Sequence, residues 1–72
     1  MKEENKTKLV YYLTKCYKQE KTKYEFMEHK IFVWKQYKYS KDMQIKLGRK
    51  VAQEHLERMF ELSLLIDWVE RL

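Results

Sequence analysis

Apolar and polar residues alternate with helical spacing along most of the chain. Leu9, Tyr12, Leu13, Cys16 and Tyr17 fall at i, i+3, i+4, i+7 and i+8, one face of a helix. Tyr24, Met27, Ile31 and Trp34 carry the same kind of stripe, and Ala52, Leu56, Met59, Leu62, Ile66 and Val69 step by 4, 3, 3, 4 and 3. The pattern predicts helices over about 5–19, 22–38 and 41–71, with the C-terminal one longest, about 45 Å at 1.5 Å per residue. The first boundary rests on Thr22-Lys23-Tyr24-Glu25, which has the form of a capping box and follows the polar stretch Lys18-Gln19-Glu20-Lys21. The second rests on Ser40-Lys41-Asp42, a cap followed by an acidic first-turn residue. A break at the first boundary gives three helices; a mere kink gives two.

Two stretches test this reading. Ile31-Phe32-Val33-Trp34 is a β-prone run, and Tyr37 and Tyr39 alternate after it. A lone strand would have no partner within the chain, so helix is expected. Gly48 costs a helix interior up to about 1 kcal/mol relative to Ala. No N-cap follows in Arg49-Lys50-Val51, so the third helix is expected to run on, kinked at most.

Composition sharpens the fold class. One Gly and no Pro in 72 residues leave little material for the frequent turns of a sandwich, barrel or α/β domain. The expectation is an all-α fold, a single small helical domain over 1–72 packed as a bundle, with Ile31, Trp34, Leu56, Met59, Leu62, Leu65, Ile66 and Val69 mostly buried. Disorder is excluded by 44% hydrophobic and 15% aromatic residues. A chain this short buries only about 60% of its unfolded surface and is marginal alone. Cys16, the single cysteine, cannot form an intramolecular disulfide to help it.

Charge divides the chain. Residues 1–50 hold 14 basic and six acidic side chains; residues 51–72 hold two basic and five acidic. Nine of the eleven aromatics precede Ser40. From Met59 to Val69, eight of eleven residues are large and apolar, more than one neighbouring helix covers. A second copy is the simplest way to surround such a helix. Self-association, most simply as a dimer, is therefore expected through Met59, Leu62, Leu65, Ile66 and Val69. The basic aromatic half is left for a partner, with Lys30, Trp34, Lys35, Tyr37, Lys38 and Tyr39 as the candidate contacts. A protein partner is preferred, because Tyr and Trp anchor interfaces. Nucleic acid is the alternative, with lysines on phosphates and rings on bases. It ranks second because Arg49 is the only arginine before residue 51 and no base-reading module is visible.

Reactive chemistry is sparse. Glu25 and His29 form a two-ligand fragment at i, i+4, and nothing similar brackets His55, so no metal is expected. Cys16 lies on an apolar face, Ser40 has a capping role open to it, and no Gly-rich loop cradles a phosphate. The expectation is a non-enzymatic regulator or adaptor without cofactor. No apolar run approaches the roughly 18 residues of a membrane span, and the lone thiol suits a reducing cytoplasm. In composition the chain resembles small Lys- and Tyr-rich accessory proteins of phages and mobile elements, a resemblance without a motif that transfers no functional residue.

Overall fold

The computed structural model describes residues 2–37 and 41–72. Two helices, α1 (Glu3–Lys35, 33 residues) and α2 (Asp42–Glu70, 29 residues), pack along each other as an antiparallel hairpin measuring 57 × 13 × 11 Å. The all-α expectation holds, in its two-helix form. Because α1 is undivided, it is α1 and not the C-terminal helix that is the longer.

The expected boundary near Thr22 does not occur, and the reason is local. Thr22 Oγ1 donates to the Lys18 carbonyl four residues back at 3.0 Å. A capping hydroxyl instead accepts from a backbone N–H ahead of it. Thr22 thus uses the back-bonding mode open to threonine inside a helix. Ile31 to Lys35 are also helical, which removes the strand alternative there. The Ser40 cap lies outside the described residues, as do Lys38 and Tyr39. Glu3 and Glu4 in the first turn of α1, Lys35 in its last, and Asp42 in the first turn of α2 all suit the helix dipoles.

One register joins the helices. On α1 the buried and half-buried residues include Val10, Leu13, Tyr17, Glu20, Tyr24, Met27, Ile31 and Trp34; on α2 they include Ile45, Gly48, Ala52, His55, Met59, Leu62, Ile66 and Val69. Both series step by 3 and 4 in strict alternation, the 3.5-residue repeat of a coiled-coil seam. This departs from the stripe read on α2. A step of four turns the stripe by about 40° one way and a step of three by about 60° the other. Two threes in succession, as from Leu56 through Met59 to Leu62, carry it off the seam. The structure keeps the alternation by using His55, and Leu56 is left 40% exposed. Leu65, expected in the core, is exposed for the same angular reason.

Gly48 lets the helices come close near the turn. A Cβ at Gly48 would lie 3.0 Å from Trp34 Cζ3 and 3.1 Å from Ile31 Cγ1. The lost helix propensity is offset by the packing of Trp34 and Ile31 over that gap. Among the described residues the buried hydrophobic side chains are only Ile31, Ala52, Met59 and Val69. A two-layer hairpin has no third element to cover its outer faces.

Candidate functional site

Folding redistributes the charge that the sequence divides into front and back. Residues 1–23 carry seven basic and three acidic side chains, and the antiparallel arrangement lays them beside 51–72, with two basic and five acidic. Positive and negative strips thus neighbour each other at the open end of the hairpin. At the turn end, the described residues 24–37 and 41–50 carry six basic and three acidic side chains with no such counterweight. The positive field of the molecule is concentrated at the turn.

Lys35 from the end of α1 meets Asp42, Ile45, Lys46 and Arg49 from the first two turns of α2 around a shallow cleft there. Lys46 and Arg49 share a side of α2 because they are three residues apart. Aromatic rings elsewhere at this end of the molecule hold cations of their own. The Lys30 ammonium sits 4.6 Å from the Phe26 ring centroid, and the Lys41 ammonium 5.3 Å from that of Tyr37. Phe26, Phe32 and Tyr37 are exposed.

The partner residues named from sequence separate accordingly. Lys35 and Tyr37 are exposed in this region, Lys30 is half-buried over Phe26, and Trp34 is half-buried in the seam over Gly48. Lys38 and Tyr39 fall outside the described residues. Lys46 and Arg49 are not among the residues named from sequence, although a signal exists: with Lys50 they make the first half of α2 basic where its second half is acidic. Only the hairpin brings them to Lys35.

The residues named for oligomerisation also divide. Met59 and Val69 are buried, and Leu62 and Ile66 half-buried, within a single chain. Leu65 stands out in solvent with Leu56, Phe60, Leu64, Trp68 and Leu72. Tyr17 of α1 joins Leu56, Met59, Phe60 and Ser63 in an open groove beside this surface.

His55 is drawn into the seam opposite Glu20. His55 Nδ1 lies 2.6 Å from Glu20 Oε2 in the seam, while Arg58 Nη1 is 3.9 Å from the same oxygen and Lys23 Nζ is 3.7 Å from Oε1. Burial pushes the Glu20 carboxyl up, but the hydrogen bond to His55 and the charges of Lys23, His55 and Arg58 together bring it below its ordinary value. Among the described residues no three His, Cys, Asp or Glu side chains gather as a metal site would require. Cys16 is a half-buried free thiol. Neither helix is long and apolar enough to cross a membrane. No protein-family model matches the chain, and no curated protein or solved structure matches it either.

Proposed function

We propose that this chain is a non-enzymatic adaptor or regulator that self-associates through its C-terminal helix and docks its basic turn end on an acidic protein. The observation that carries the reading is the convergence of Lys35, Lys46 and Arg49 on one cleft, with exposed Tyr37 two residues beyond Lys35 along the chain. Such a patch offers charge for steering and a ring for anchoring, the combination that gives protein interfaces their rate and their hot spots. Phe32, three residues before Lys35 on α1, adds exposed apolar surface.

A nucleic-acid reading has its own support in the same three cations, which suit a phosphate backbone. It stands second because Trp34 and Tyr24 are half-buried in the seam rather than presented to bases.

Affinity capture with and without nuclease treatment, at low and at moderate salt, distinguishes the two. The protein reading expects one acidic protein retained at moderate salt and lost from the Lys46→Glu, Arg49→Glu double variant. Retention of DNA or RNA at low salt, falling by orders of magnitude at moderate salt, would reverse the ranking. If the double variant keeps its protein partner, the turn end is not the docking surface.

A further inference from the structure

The two sides of the hairpin differ. Glu20 collects Lys23 of α1 and Arg58 of α2 on one flank of the seam, and Lys35 meets Lys46 and Arg49 on the other. In the 3-4 repeat the first flank has Leu9, Cys16, Val51 and Leu65 next to the seam. The second has mostly polar residues there, Lys21, Glu28, Ser63 and Glu70 among them. Farther out on the first flank stand Tyr12, Phe26 and Val33 of α1 and Leu47 and Trp68 of α2, all exposed. This flank is therefore apolar towards both ends, with Gln19, Glu54 and Arg58 near its middle, and no third element covers it. The chain exposes 6155 Å², against about 4,900 Å² for a folded monomer of 9.1 kDa. The excess is larger than the ~800 Å² that each partner brings to a standard interface.

We infer that two hairpins pack flank to flank as a four-helix bundle, turn ends at opposite extremes, with a two-fold axis at the level of Gln19 and Leu56. The inference rests on the self-association proposed above and specifies its surface. Gln19 and Leu56 are level in the hairpin because Glu20 stands opposite His55 and Met27 opposite Gly48. A two-fold axis running across the helices sets each helix antiparallel to its own copy. Residues equally far before and after the axis then meet. The flank is symmetric about that level on both helices. Tyr12 and Phe26 each lie seven residues from Gln19, Leu47 and Leu65 each nine from Leu56, and Glu54 and Arg58 each two from it. Ring thus meets ring, leucine meets leucine, and each glutamate meets an arginine. The axis set by α1 and the axis set by α2 coincide, as an isologous contact requires and an unrelated partner does not. Charge favours the same direction. Residues 41–50 hold four basic and one acidic side chain and 51–72 two basic and five acidic, so antiparallel α2 helices set opposite signs together. Turn ends side by side would adjoin two positive fields. The cleft of Lys35, Lys46 and Arg49 lies on the other flank and stays open.

Sedimentation of the full chain and its variants at micromolar concentration tests this. The wild type is expected to be a dimer. Phe26→Glu is expected to weaken it at least about tenfold, with helix content by circular dichroism unchanged, and Phe60→Glu on the other flank to leave it intact. With Cys16→Ser as background, Leu47→Cys combined with Leu65→Cys should give a covalent dimer on mild oxidation. The two sites are about 27 Å apart along one α2, too far to bridge within a chain. A monomeric wild type would overturn both the bundle and the broader self-association. A dimer that survives Phe26→Glu, or that gives no covalent species with the cysteine pair, would overturn this flank alone and leave self-association through another face. A monomer whose binding to phosphatidylcholine–phosphatidylglycerol vesicles is abolished by Phe26→Glu would overturn the second copy in favour of a lipid surface.

Discussion

Glu20 and His55 face each other midway along the hairpin, with Oε2 and Nδ1 2.6 Å apart and each side chain 15% exposed. Both occupy positions in the 3-4 repeat that apolar residues fill elsewhere on the seam. A polar pair at such positions favours the one alignment in which the two groups meet, at a cost in stability relative to an apolar pair. Slipping α2 by a turn would leave a carboxylate and an imidazole against apolar neighbours. The pair therefore serves to specify register.

Removing one partner should be worse than removing both. Glu20→Ala is expected to lose about 1–3 kcal/mol, because His55 is left unpaired in a largely dry position. Glu20→Leu with His55→Leu should recover that loss or exceed wild-type stability. Urea unfolding followed by circular dichroism gives the comparison. A double variant less stable than Glu20→Ala would show that the pair contributes more than alignment.

Acid should loosen the hairpin through Glu20. Its native carboxyl titrates below the ordinary value of 4.5, with Lys23, His55 and Arg58 favouring the charged form over the opposing effect of burial. A depressed carboxyl contributes stability that is present in full above the unfolded pKa and is lost as pH falls through the native one. The melting temperature is therefore expected to fall below about pH 4.5, and less steeply in Glu20→Gln, which has no carboxyl to protonate at that position. Equal slopes in thermal melts from pH 7 to pH 3 would remove Glu20 as a source of the acid sensitivity.

Thr22→Ala separates a helix interior from a cap. In the interior of α1, alanine should be neutral or raise stability by a few tenths of a kcal/mol, in line with helix propensity. At an N-cap the same change would cost about 1 kcal/mol. Chemical denaturation resolves the sign, and a clear loss would revive the break at 20–22.

Gly48 should tolerate no branched side chain. Gly48→Val places two methyl groups where even a Cβ stands 3.0 Å from Trp34 and 3.1 Å from Ile31, and is expected to cost about 1–3 kcal/mol. Tryptophan fluorescence should shift as Trp34 is displaced toward water. A variant as stable as wild type, with unchanged emission, would mean that the close approach of the helices near the turn is dispensable.

Several features were legible in the chain itself. Scarcity of Gly and Pro permits few connections, so long helices follow. The stripes on Tyr24 to Trp34 and Ala52 to Val69 locate the inward faces approximately, and the charge count marks 51–72 as different from the rest. Periodicity acts within one helix, and any local signal that depends on it can be read without knowing the neighbour.

What the neighbour decides was not legible. Leu56 fits a stripe as well as His55 does when α2 is considered alone; His55 wins because Glu20 on α1 stands opposite to receive it. Thr22-Lys23-Tyr24-Glu25 satisfies the pattern of a cap, yet α1 runs through it, held by the seam on both sides of Glu20. The basic front and acidic back of the sequence become a compensated open end and a positive turn, because antiparallel packing sets 1–23 against 51–72. Lys35, Lys46 and Arg49 meet only after that packing. Helix formation depends on spacing along one chain segment, whereas pairing, exposure and field depend on which segments lie side by side, and only the tertiary structure supplies that.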